Sequence, residues 1–259
     1  MKSAVAALHF LTRIRTTNTT LRESDMGFSL LWYPLVGAIV GLLCGLIYFY
    51  AFRFLWPDPV SSLLIVAFLI WVKDAFHLDG LSDLVDGLYG GGSPAEVYEI
   101  MKDPALGPFG ALAIVTSLSI EYAVLLSLAP PRVLPVLTAV LSLSTASSAL
   151  LICWGRPMDD RRGLASLLMR QKQDWFAPFI LVLMLMISLI TLGVAGAIVF
   201  MVAVLGTLAS SYWFRHRLGG INGDCCGAVT MVVQVLLLLV VSSVETQQLI
   251  TFSGNQFYW

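Results

Sequence analysis

Seven apolar runs alternate with short polar connections along the chain, approximately over 28–55, 60–76, 107–129, 133–154, 175–192, 195–214 and 228–244. Each is close to the roughly 20 residues that a helix needs to cross a hydrocarbon core. The tightest connections, 56–59, 130–132 and 193–194, carry Pro or Gly, which break helices and make turns. This pattern predicts an all-α polytopic membrane bundle of about seven transmembrane helices. With no linker, composition shift or repeat of fixed period, residues 1–259 read as a single membrane-embedded domain. Before the first run, Lys2 and a short apolar stretch to Leu11 lead into Arg13 and Arg15, where a signal peptide would show a small-residue cleavage site. That stretch reads as a retained amphipathic entry segment lying along the interface.

Composition supports the membrane reading: 58% of residues are hydrophobic and 12% charged, and mean hydropathy is +0.85. Ordinary globular domains are about 45–50% apolar. A net charge of −1 gives no nucleic-acid footprint. The four cysteines, Cys44, Cys153, Cys225 and Cys226, lack zinc-ligand spacing. Charge distribution says more than its total. With Lys73 counted at the membrane edge, 13 of the 15 Lys and Arg residues fall on the side shared by the N-terminus and the loops 77–106, 155–174 and 215–227; Arg53 and Arg132 fall on the other. The positive-inside rule then places the N-terminus and every polar motif in the cytoplasm, with the C-terminus outside. The expected location is the cell membrane.

The scarce charge is concentrated in His77–Gly92, HLDGLSDLVDGLYGGG. At roughly 100° per residue, Asp79, Asp83 and Asp86 fall within about 60° on one helix face. Like charges so placed repel, and hard oxygen donors of this kind suit Mg²⁺ or Mn²⁺ completed by water and substrate phosphate. The plainer reading is a solvated acidic helix beside the membrane. His77 is a candidate acid, base or phosphate contact, or else a hydrogen-bonded structural residue. Ser93, Pro94 and Glu96 fit an N-cap, a first helical position and a capping box, which explains Glu96 structurally. In EIMKDPALGPFG, Pro104 disfavours helix at Asp103, leaving Asp103 as a metal ligand or as part of a surface turn with Glu99 and Lys102.

The third polar loop carries Arg156, Arg161, Arg162, Arg170 and Lys172, suited equally to lipid headgroups or substrate phosphates. In RHRLGGINGDCCGA, Gly219, Gly220, Gly223 and Gly227 describe a loop able to present N–H groups to phosphate. Asp224 could complete a metal shell there, although glycine turns with an Asp also serve as plain connectors. Arg13 in FLTRIRTTN offers a further phosphate grip or topology anchor.

HLDGLSDLVDGLYGG followed by EIMKDPALGPFGA, with FLTR before and GGINGDCCGA after, resembles the cobalamin synthase family, the adenosylcobinamide-GDP ribazoletransferases. The likeness runs in order from about Phe10 to Gly227. It implies a Mg²⁺-dependent integral membrane transferase of the last stage of cobalamin biosynthesis, joining adenosylcobinamide-GDP to α-ribazole or α-ribazole 5′-phosphate with release of GMP. By that resemblance Asp79, Asp83 and Asp86 match the family's acidic motif, Glu99, Lys102 and Asp103 its EIMKD element, and Asp224 the aspartate of its glycine-rich loop. Taken with the reading of the residues, the expected metal ligands are Asp79, Asp83, Asp86, Asp103 and Asp224, the catalytic candidates Asp83, Asp86 and His77, and the candidate binding residues Arg13, Lys102, Gly219, Gly220 and Gly223. Two departures stand out: Arg15 where the family usually has proline, and Cys225-Cys226 where Thr or Ser and Leu are common. Neither removes a carboxylate.

Attack of a ribose 5′-hydroxyl on the phosphorus attached to cobinamide needs charge neutralisation, a stabilised leaving group and a proton acceptor. Metal held by the aspartates would supply the first two, and an aspartate or His77 the third. Two rival readings are a CDP-alcohol phosphotransferase, whose DGxxARxxG pattern is absent, and a cation-coupled transporter, whose paired repeats are not apparent. The bilayer and the two substrates are the expected partners; the sequence leaves a homo-oligomer open.

Overall fold

The computed structural model describes residues 2–15, 22–73, 75–158 and 163–254, with side chains to 244. All seven apolar runs form helices. A short α1 (Lys2–Leu11) precedes one long rod, in which α2 (Glu23–Gly27), a 3₁₀ turn (Phe28–Trp32), α3 (Tyr33–Ile47), a π-helical turn (Tyr48–Phe52) and α4 (Arg53–Leu55) follow without a break. Then come α5 (Asp58–Val72), α6 (Phe76–Gly90), α7 (Pro94–Met101), α8 (Pro108–Ser127), α9 (Pro130–Trp154), α10 (Leu164–Gln171), α11 (Phe176–Leu192), α12 (Val194–Arg217) and α13 (Gly223–Gly254). Five helices are long and apolar enough to cross a membrane alone, and up to seven spans result if the bent pairs α5–α6 and α10–α11 each count as one. Large apolar side chains such as Ile190, Val182, Met201 and Leu205 stay exposed on the outer helices, as lipid-facing surfaces require.

The centre of the bundle is α9, 94% buried over its most apolar window and packed against α3, α11, α12 and α13. Its tightest neighbour is α3. A Cβ at Gly37 would lie 2.3 Å from the Leu141 carbonyl and one at Gly41 2.3 Å from that of Leu137, so the two helices run antiparallel with backbones in contact. Small residues at i and i+4 permit this approach, the usual device where lipid removes any hydrophobic drive between helices.

One expected span is cut short. The apolar run 60–76 predicts a full crossing, but α5 ends at Val72, and α6 departs at 86°. Ala75, in the left-handed region with φ 54°, caps the start of α6. Lys73, at the end of α5, is buried, only 8% exposed; without it twelve of the 13 sided Lys and Arg residues remain as loop charges. The N-terminal segment is also more embedded than an interfacial helix need be, burying Ala6, Ala7 and Leu11. Its Ser3 hydroxyl accepts from the Trp32 indole, and the Arg13 N–H donates to the Val72 carbonyl at 2.7 Å.

Candidate active site

The acidic stretch folds as the amphipathic helix its spacing predicts. On α6, His77, Leu78, Gly80, Leu81, Leu84 and Gly87 face inward, whereas Asp79 is exposed and Asp83 and Asp86 are half-buried. The inward face packs on α13, α8 and α7, so this is no free-standing helix on the membrane surface. Contact with α13 is backbone to backbone: a Cβ at Gly80 would meet the Asp224 carbonyl at 2.8 Å, and one at Gly227 would meet the Cα atoms of Gly80 and His77 at 3.3 Å. That crossing brings Asp224, in the first turn of α13, beside Asp79 and Asp83. Asp83 feels the charges of Asp79, Asp224 and Asp86 together. No cation side chain forms an ion pair with these four among the described residues.

Each aspartate has a different local use. Asp224 accepts from the Asn222 amide at 2.9 Å, and Asn222 also caps α13 by accepting the Cys225 N–H at 2.9 Å. Asp86 accepts the Gly107 N–H through one oxygen and the Gly110 N–H through the other, both at 2.8 Å. It thus caps the N-terminus of α8, where unsatisfied N–H groups and the helix dipole favour an anion. A Cβ at Gly107 or at Gly110 would lie 2.3 Å from that carboxylate, which accounts for the glycines of LGPFG. Asp83 has only its neighbour Ser82 as a hydrogen-bond partner, and the Asp79 carboxylate has none among the described hydrogen bonds, so neither ties two helices together as Asp86 does.

Asp103 accepts the Ala105 N–H at 3.0 Å in its own exposed turn. Lys102 pairs with Glu99 at 3.3 Å and lies over the Tyr98 ring at 4.0 Å. The capping box at Ser93 and Glu96 forms as expected. His77 points away from the aspartate face: it is 3% exposed, and its Nδ1 has no hydrogen-bond partner among the described residues. Gly219, with φ +77°, and Gly220, whose Cβ would lie 2.6 Å from the Met158 N, make the turn that pins the last loop to the third. Backbone bonds from Ile221 N–H to Arg156 O and from Met158 N–H to Ile221 O complete that join. Gly223 is open. Arg13 is exposed, its guanidinium 6.0 Å from the Trp71 ring. Lys172 donates to the carbonyls of Ile152, Cys153 and Gly155, closing the C-terminal end of α9. Arg161 and Arg162 lie outside the described residues.

Two groups, Glu121 and Gln234, escape sequence reasoning. Glu121, 2% exposed in the middle of α8, is the clearer, since a lone carboxylate in an apolar span is a signal in itself. It accepts from Gln234, which in turn accepts from Lys73.

The arrangement is thus a carboxylate face, two helix N-termini and a glycine turn gathered at one end of a membrane bundle. The family model described as cobalamin-5-phosphate synthase matches residues 3–242. The chain belongs to that family. Among its relatives, the adenosylcobinamide-GDP ribazoletransferase of Geotalea daltonii is 32% identical, over 84% of this chain and 87% of its own length. That of Shewanella frigidimarina is 31% identical over 92% and 93%, and that of Vibrio parahaemolyticus 30% over 92% and 91%. No solved structure matches the chain. For this member of the cobalamin-5-phosphate synthase family, the central motif of the sequence is the helix that carries the acidic face.

Proposed function

We propose that this protein is a Mg²⁺-dependent adenosylcobinamide-GDP ribazoletransferase of the plasma membrane, with its active site on the cytoplasmic side. It joins adenosylcobinamide-GDP to α-ribazole or its 5′-phosphate and releases GMP. The observation that carries the reading is the uncompensated group Asp79, Asp83 and Asp224, formed where α6 crosses α13 in a chain of this family. Among the described residues no three His, Cys, Asp or Glu side chains converge as a ready-made metal cage. This donor set fits Mg²⁺, which commonly takes one or two carboxylates and leaves its other positions to water and substrate phosphate.

Mg²⁺ bound there supplies charge neutralisation on the pyrophosphate and on the departing GMP. One or two of Asp79, Asp83 and Asp224 would hold it, and their mutual repulsion is what its binding would relieve. Asp86 fixes the aspartate helix against the start of α8, so its part is to orient the face. The oxygen–phosphorus bond to the incoming ribose forms as the bond to GMP breaks, and the hydroxyl proton passes to a carboxylate of the face. His77, directed away from that face, is not placed to accept it. With the 5′-phosphorylated acceptor the ribose 5′ position is already occupied, so another ribose hydroxyl attacks.

The purified protein in detergent, given adenosylcobinamide-GDP, α-ribazole 5′-phosphate and Mg²⁺, should release GMP in step with formation of the cobalamin product. A folded preparation that releases none, or that turns over CDP-alcohols instead, would refute the reading.

A further inference from the structure

We propose that Lys73, Gln234 and Glu121 form a positioning brace that sets the angle between α6 and α13, the two helices carrying the carboxylate face. The inference rests on the transferase reading for what the face does, and on geometry alone for the brace.

Lys73 Nζ donates to Gln234 Oε1 at 2.8 Å, and Gln234 Nε2 donates to Glu121 Oε1 at 2.6 Å. Lys73, Gln234 and Glu121 are 8%, 2% and 2% exposed. The amide is thus a bridge between opposite charges, making the trio neutral overall. Counted from the helix starts at Pro108 and Gly223, Glu121 and Gln234 lie about 20 Å and 16 Å along α8 and α13 at 1.5 Å per residue. This is deep in the spans, where an unpaired charge is expensive and polar groups are rarely placed without purpose.

The brace meets α6 at its root. Lys73 ends α5, the chain turns through Ala75, and His77 follows in the first turn of α6. Lys73, Ala75, His77, Glu121 and Gln234 line a common cavity of about 20 Å³, enough for one water. His77, in the first turn of α6, lines it as well, and its enclosed Nδ1 has no hydrogen-bond partner among the described residues. α6 packs on α13 where Phe76, His77 and Gly80 meet Asp224 and Gly227, near the starts of both helices. The brace adds a tie deeper in the bundle, through Gln234 on the helix that also bears Asp224. Together these contacts fix the angle, and with it the separation of Asp79 and Asp83 from Asp224.

The test uses Gln234→Leu and the apolar triple variant Lys73→Met/Gln234→Leu/Glu121→Leu, with GMP release, Mg²⁺ half-saturation, thermal unfolding and hydrogen exchange measured on each. Replacing a whole buried ionic group by apolar residues commonly leaves stability intact, whereas breaking it does not. In Gln234→Leu, at temperatures where the protein stays folded, kcat should fall at least tenfold with the donor KM within twofold. Half-saturating Mg²⁺ should rise at least threefold, and amides 77–80 should exchange at least tenfold faster. The triple variant should recover the melting temperature but not the rate or the Mg²⁺ response. Wild-type kcat and exchange in either variant, or a rate loss that only follows the unfolded fraction, would overturn the brace. If the wild-type protein itself releases no GMP, the transferase reading falls, and hydrogen exchange at 77–80 still decides whether the brace exists.

Discussion

Replacing Asp86 with alanine removes a carboxylate that accepts two backbone N–H groups at 2.8 Å, from Gly107 and Gly110. Hydrogen bonds to charged groups contribute about 1.5–3 kcal/mol each, and the site is half-buried, so the lower end applies and the pair contributes about 3 kcal/mol. Against this, the substitution relieves repulsion between Asp86 and Asp83, roughly 1 kcal/mol at an exposed to half-exposed site. The net loss is about 2 kcal/mol, or a fall in melting temperature of about 4–8 °C for a chain of this size. Thermal unfolding in detergent measures it. Activity should fall in parallel, because α6 loses its hold on α8, and Asp86→Asn, which keeps one acceptor oxygen, should recover part of both. A variant of unchanged stability with abolished turnover would refute this reasoning and return Asp86 to the role of direct metal ligand.

Asp83→Ala should behave oppositely: turnover falls more than 100-fold, while the melting temperature stays level or rises, since a like charge is removed and only a contact with the neighbouring Ser82 is lost; retained activity would sink the metal assignment. EDTA should abolish GMP release and Mg²⁺ restore it, as followed by chromatography of the nucleotide; metal-independent turnover would count against the mechanism. Gly80→Ala sets a methyl 2.8 Å from the Asp224 carbonyl, so α6 must shift off α13, and kcat should drop at least tenfold; a wild-type rate would show that the crossing is not critical. For topology, Glu99→Cys, whose parent side chain is 74% exposed, should react with an impermeant thiol reagent only from the cytoplasm. Val194→Cys, at an 87% exposed position, should react only from outside; the reverse pattern would invert the orientation.

Much of this is legible in the chain. Apolar run length locates all seven helices because nothing competes with a long hydrophobic block, and spacing alone puts Asp79, Asp83 and Asp86 on one face of α6. The Ser93 capping box is readable because its partners are close neighbours in sequence. Failures come where the cause lies far away along the chain. Lys73 looks like an edge residue until Gln234 and Glu121, on distant helices, are seen to bury it. Asp86 looks like its two neighbours until Gly107 and Gly110 fold back onto it. His77 shares the motif but projects from another side of the helix than Asp79. Asn222, overshadowed by the glycines and Asp224 beside it, proves to be the cap of α13.

The central claim is that the face made by Asp79, Asp83 and Asp224 works through a cation in contact with the pyrophosphate of the donor. It is tested most directly with adenosylcobinamide-GDP bearing sulfur at a non-bridging position of the phosphate attached to cobinamide. Turnover of this donor should be slow with Mg²⁺ and recover at least tenfold with the more thiophilic Mn²⁺ or Cd²⁺, whereas the all-oxygen donor shows no such gain. Equal slowing with every metal, or no slowing at all, would contradict the account.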